Sequence, residues 1–175
     1  MLRGFLSDEF PDSGSDVIEV NAAGTLTPYL QLLPRHALHA FPEIDLQSLN
    51  FADDSIEVII HSDTLEHVPD SKVALKESHR VLKPGGRLFY TVPIVVGRMT
   101  RKRNGLPASY HGKPGVPRPD YTVQTEYGAD FWCEIFEAGF RDVANELNFS
   151  SVCGDFCYQK LTATKHLSEE RLLLL

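Results

Sequence analysis

The sequence predicts an α/β domain with a mostly parallel sheet, helices on both faces and an antiparallel hairpin at the C-terminal edge. Three observations carry this reading. Ile56-Glu57-Val58-Ile59-Ile60 is a β-branched run of the kind that fills a buried strand. An amphipathic stretch follows it, and Arg87-Leu88-Phe89-Tyr90-Thr91-Val92 then supplies a second strand. A strand, a crossover helix and another strand of this size form a right-handed βαβ unit in a parallel sheet.

The other elements fall in order around that unit. Residues 1–15, rich in Asp, Ser, Gly and Pro, are expected to be a loose lead-in. Asp16-Val17-Ile18-Glu19-Val20 reads as a first buried strand, ending in the turn Asn21-Ala22-Ala23-Gly24. Residues 25–33 read as a helix, with Pro28 tolerated in the first turn, where its missing donor is not needed. Pro34 stops it, and 37–41 make a weak second strand closed by Pro42.

Asp70 or Ser71 caps the crossover helix, whose apolar face is Val73, Ala74, Leu75, Ser78, Val81 and Leu82. Pro84-Gly85-Gly86 breaks it, because glycine reaches the backbone angles a reversal needs. Residues 94–127 show little regular pattern, and a tract of that length is functional or disordered. Residues 128–138 read as a helix with Phe131, Trp132, Ile135 and Phe136 on its apolar side and Gly139 as its stop. Residues 141–149 and 156–164 form the edge hairpin, and the tail after Lys165 is a frayed helix or disordered.

The 175 residues are expected to make a single domain, with 94–127 as its lid or loop. No apolar run approaches the roughly 20 residues that span a bilayer. Asp8 and Glu9 interrupt the apolar start, so it is a poor signal peptide and the cytoplasm is the expected location. The net charge of -7 argues against broad nucleic-acid binding. Cys133, Cys153 and Cys157 are odd in number and lack CxxC spacing, which suits small apolar packers rather than a disulfide framework or metal site.

A family likeness enters with residues 45–93. Asp45 and the run Leu46 to Ile59 resemble the "D-x-x-x-L-P-F-x-D-x-S-F-D-x-V" line of small class I S-adenosylmethionine-dependent methyltransferases. Leu65-Glu66-His67-Val68-Pro69-Asp70 resembles their "L-E-H-V-P-D", and Glu77 with Arg80 to Gly86 resembles "E-x-x-R-V-L-K-P-G-G". The order and spacing of the set make it specific. The resemblance implies a Rossmann-like sheet, S-adenosyl-L-methionine as cofactor and methyl transfer to a small-molecule acceptor. On the residues themselves, Glu77 and Arg80 read as a helix-surface pair of small energetic value.

The resemblance also implies where the cofactor lies. Glu19 faces its amino group, and Asn21 and Gly24 belong to the turn beneath its methionine and ribose, where small residues let the backbone approach. The chain departs from the pattern at the second strand, where Glu43 and Asp45 stand two positions apart and a helix and strand are missing. Either Glu43 serves the ribose while Asp45 and the Leu46 backbone serve adenine, or half of the pocket is lost. His61, Ser62 and Asp63 end the central strand beside the methionine part; Asp63 suits either a charge near the sulfonium or a helix cap.

The lid carries Arg98, Arg101, Lys102, Arg103, Lys113 and Arg118 against Asp120 and Glu126, with Tyr110, His111, Tyr121 and Tyr127 within it. Such a surface favours an anionic acceptor, and the same charges also fit a solvated loop. His111 ranks first as a base for the acceptor and His67 second, with Tyr110 as an orienting group; Glu66-His67 also fits a helix-cap or packing pair. The expected function is methyl transfer to a small, anionic metabolite. The alternative is a non-catalytic binding or regulatory protein on the same fold.

Overall fold

A computed structural model describes residues 14–95, 97–110, 119–148 and 156–165. Of the expected loose ends, 1–15 and 166–175, residues 1–13 and 166–175 lie outside the described residues, as do His111, Lys113, Arg118 and Cys153.

The first half of the chain builds the parallel part of the sheet. β1 (Val17–Val20) leads through a 3-10 turn, Gly24–Leu26, into α1 (Thr27–Leu30) and then β2 (His36–His39). β3 (Ile56–Ser62), α2 (Ser71–Val81) and β4 (Leu82–Val95) form the expected βαβ unit. β2, β1, β3 and β4 are parallel neighbours in that order. β7 (Arg141–Asn148) and β8 (Phe156–Thr164) complete the sheet as an antiparallel hairpin, with β8 against β4.

Alternation along the strands divides the core between the two faces. Val17, Val58, Ile60 and Phe89 pack with Leu26 and Leu30 around α1. Ile18, Val20, Ile59, Leu88 and Tyr90 pack on the other face with Ala74, Leu75 and Val81 of α2. Ile135 of α3 (Cys133–Glu137) joins that second cluster. Asp70 caps α2, its carboxylate accepting from the backbone N–H of Lys72 and Val73 at 3.1 and 3.2 Å; such a cap stabilises by about 1 kcal/mol.

Some expectations are corrected. α1 is one turn long because Leu32 and Leu33 donate to Tyr29 and Leu30 in tight turns ahead of Pro34, which disfavours helix at the residue before it. Val73 is exposed on α2. Of the expected helix 128–138 only α3, Cys133–Glu137, is helical; Phe131, Ile135 and Ala138 face the core, whereas Trp132 and Phe136, 45% and 41% exposed, meet each other edge to face in solvent. They lie four positions apart and so share the outer side of the helix.

The described residues of the 94–127 segment carry more regular structure than their sequence suggests. β5 (Arg101–Lys102) pairs antiparallel with β6 (Thr125–Glu126), and Tyr110 bridges to Thr122. Backbone bonds pin this flap to the body: Val95 N–H to the Tyr127 carbonyl and Gln124 N–H to the Glu66 carbonyl, each 2.8 Å. Between β2 and β3, residues 40–55 form turns without helix or paired strand, so the sheet ends at β2. No helix among the described residues is long and apolar enough to cross a membrane.

Candidate cofactor and acceptor site

The carboxyl ends of β1, β2 and β3 converge, as the crevice of an open parallel sheet requires. Asn21 closes β1 in a left-handed conformation, φ 58°, which asparagine tolerates better than most residues. Its Nδ2 donates to Thr64 Oγ1 at 3.4 Å and its Oδ1 accepts from Phe41 N–H at 3.1 Å. One side chain therefore ties the ends of all three strands.

The turn after Asn21 is open. Ala22 and Gly24 are exposed, and a Cβ built at Gly24 would meet nothing within 4 Å. Its φ of 58° is the reason glycine stands there. The backbone thus faces unfilled space at the place where a ligand must come close. Exposed carboxylates flank it at Glu43 after β2 and Asp63 after β3. Small residues, an open turn and carboxylates for a cationic, hydroxyl-bearing ligand fit S-adenosylmethionine.

Other candidate residues are turned inward. Glu19 is wholly buried, and its carboxylate accepts from Ala23 N–H at 2.7 Å and Thr27 Oγ1 at 2.5 Å while facing His36 Nε2 at 2.7 Å. It holds the turn from beneath. Asp45 is spent on its own loop, its Oδ1 accepting from Gln47 N–H at 2.8 Å, and Leu46 is buried. Ser62 shares a 2.7 Å hydrogen bond with Thr91 across β3 and β4.

His61 differs from the expectation of a cleft residue. Strand alternation turns it to the α2 face, where it stacks on Tyr90 at 5.2 Å and is 1% exposed. Burial pulls its pKa down to about 3, so the ring is neutral. Tyr90 and Tyr127 are pushed well above the usual phenol range by burial, with the Glu134 charge nearby adding to it. Neither phenol is a base at neutral pH.

Beneath the flap, His67 Nδ1 lies 3.1 Å from the Thr122 carbonyl. A carbonyl only accepts, so Nδ1 carries the proton and Nε2 holds the lone pair in the neutral ring. Nε2 is 3.7 Å from the buried Glu66 carboxylate. Tyr110, 51% exposed, makes an antiparallel backbone bridge with the same Thr122. The structure thus sets His67 and Tyr110 about one flap residue.

Sequence reasoning noted the lid's charges and missed their partner. Arg98, Arg101 and Arg103 all donate to Glu126. Period-two alternation across β5 was the available signal: it sends Arg101 and Arg103 to the side of Glu126 and Lys102 to the side of Thr125. Lys102 Nζ accordingly donates to Thr125 Oγ1 at 2.9 Å and Ser71 Oγ at 2.8 Å.

Comparison with known proteins agrees with this architecture. Residues 2–90 match the family described as a methyltransferase domain. A ubiquinone biosynthesis O-methyltransferase of Idiomarina loihiensis is 34% identical over 133 residues, covering 69% of this chain and 50% of that protein. The chain spans about half the length of such curated relatives. Haemonchus contortus phosphoethanolamine N-methyltransferase 2, solved with S-adenosyl-L-methionine, shares the fold at a TM-score of 0.59 and 12% identity, covering 95% of this chain and 52% of that one. The cyclase SpnF does so at 0.59 and 17%, covering 89% and 76%.

Proposed function

The chain belongs to the methyltransferase-domain family, and from that premise we propose that it binds S-adenosyl-L-methionine and directs methyl transfer to a small, anionic metabolite. The observation that carries the reading is the open turn at Ala22 to Gly24, set at the converging strand ends inside the segment that matches the family. The cofactor, when bound, supplies an activated methyl group. The chain's own residues supply position and a proton acceptor.

In this reading Asn21 and the turn backbone seat the cofactor, Glu43 and Asp63 face its polar and cationic parts, and Glu19 keeps the turn in shape. His67 takes the acceptor's proton on Nε2, and the Glu66 carboxylate steadies the imidazolium that results. Tyr110 orients the acceptor from the flap. The 94–127 flap closes over the acceptor within a single domain, its basic character selecting an anionic group.

Calorimetric titration with S-adenosylhomocysteine tests the first half, with micromolar binding expected. Transfer of a labelled methyl group to small carboxylates and phosphorylated compounds tests the second. Absence of heat and thermal shift at high ligand concentration rejects the proposal. A second reading, a non-catalytic binding protein, is favoured by one observation: Asp45 and Glu19 both spend their carboxylates on internal contacts. Methyl transfer to any metabolite rejects it.

A further inference from the structure

Beyond β4 the flap concentrates positive charge on one carboxylate. Arg101 Nε donates to Glu126 Oε2 at 2.7 Å, Arg98 donates to the same oxygen, and Arg103 donates to Oε1. One negative charge thus serves three guanidinium groups. Glu126 and Arg103 side chains are each 14% exposed, Arg98 31% and Arg101 50%, so Arg101 reaches water while Arg98 and Arg103 are largely withdrawn from it. Charges withdrawn from water are costly unless paired. Of the neighbouring charged groups, Lys102 points to Ser71 and Thr125, and Asp130 accepts from Thr100 N–H.

Two further observations indicate what completes the cluster. The Nε atoms of Arg98 and Arg103 are shut from solvent and have no hydrogen-bond partner among the described residues. A cavity of about 110 Å³ lies against Arg98, Ser109, Thr125 and Glu126, with Pro93 and Val95 as its apolar wall. That space has room for several waters, hence for a carboxylate or phosphate group. Guanidinium pairs such groups with planar, two-pronged geometry, which lysine does not offer.

We propose that this cavity is an oxyanion-binding site, in which Arg98 on its wall receives a carboxylate or phosphate group and Arg103, bonded to Glu126 beside it, adds positive charge from outside the lining. Its position just past the carboxyl end of β4 makes it the anchor for the acceptor's charged end. That role rests on the methyl-transfer reading; the binding of an anion does not. Burial, and after it the Arg101 charge, also draw the Arg98 pKa down.

The test titrates the full chain, without cofactor and at fixed ionic strength, with inorganic phosphate and separately with acetate. Saturable one-to-one binding of at least one of them is expected at millimolar concentration. Arg98→Ala should weaken it by about tenfold or more, Arg103→Ala by less, and Lys76→Ala, exposed on α2, should not weaken it. Glu126→Gln removes the internal counter-charge and should tighten binding, a gain that loss of structure cannot imitate. Phosphate-only or acetate-only binding identifies the ligand's charged group.

No saturable binding of either anion to the unaltered chain, or binding indifferent to the Arg98 substitution, overturns the site. Anion binding without any S-adenosylhomocysteine binding overturns the methyl-transfer reading alone. The converse overturns this site alone.

Discussion

His36 Nε2 lies 2.7 Å from Glu19 Oε2, with side-chain exposures of 4% and 0%, so the first two strands share a buried acid–imidazole pair. The other Glu19 oxygen holds Ala23 and Thr27, and the pair therefore braces the open turn. Glu19→Gln should cost roughly 3 kcal/mol, the scale of breaking a buried pair by altering one partner. Urea denaturation measures this. Replacing Glu19 and His36 together by Leu should cost less than the two single changes summed. S-adenosylhomocysteine affinity should fall with Glu19→Gln because the turn loosens. Unchanged stability in that variant would remove the bracing role.

His61 predicts the acid limb of the stability curve. Its pKa is held at about 3 by burial, against 6.5 for an ordinary histidine. Between those values the unfolded chain binds a proton that the native chain refuses, so stability rises with pH across that window. It is whole above 6.5 and is lost as pH falls, by up to about 1.4 kcal/mol per pH unit. His61→Phe keeps the stack on Tyr90 and should flatten this dependence between about pH 5 and about pH 7 in thermal melts. Equal slopes in the two proteins would count against it.

The legibility of the sequence followed the range of the forces involved. The βαβ unit from Ile56 to Val92 was readable because hydrophobic period is a local property; the helix end was not, since α2 stops at Val81 and Leu82 and Pro84-Gly85-Gly86 already lie in β4. The inward turn of Glu19 was not readable, since it depends on His36, which reaches it from the neighbouring strand across 17 positions of chain. His61 looked like a cleft residue by type, yet its face was set by strand parity and by Tyr90 beneath it. In the lid, charge was visible and geometry was not: only the pairing of β5 with β6 brings Glu126 among the arginines.

Arg80 illustrates the same limit and yields a further prediction. Its sequence position suggested a minor helix pair with Glu77, and that contact exists at 2.8 Å. The guanidinium also donates to the Phe51 and Leu49 carbonyls at 3.0 and 2.9 Å and to Asp53 at 2.6 Å. Glu77 in turn accepts from Leu49 N–H at 3.1 Å. Arg80 is therefore a clamp on the loop before β3. Lysine cannot reproduce its fork, so Arg80→Lys should lower stability by about 1–2 kcal/mol. Hydrogen exchange should quicken first in residues 49–53. A neutral substitution would return Arg80 to the role of a surface pair.

Gly128 offers a way to displace the arginine cluster without touching an arginine. A Cβ at this position would stand 2.2 Å from the Arg98 carbonyl oxygen and 2.3 Å from the Met99 carbonyl carbon, both main-chain atoms. Backbone cannot rotate aside as a side chain does, so Gly128→Ala must push apart the Arg98–Met99 segment and the chain just after Glu126. The cost should be about 1–3 kcal/mol, in the range for overpacking a close contact. The native bond from Gly128 N–H to Thr100 Oγ1, 3.0 Å, should weaken with it. Anion affinity should fall more than tenfold, on the order of that strain, while S-adenosylhomocysteine affinity, which depends on the other end of the cleft, should stay within about twofold. Equal losses of both ligands would mean that the flap and the cofactor turn move as one body.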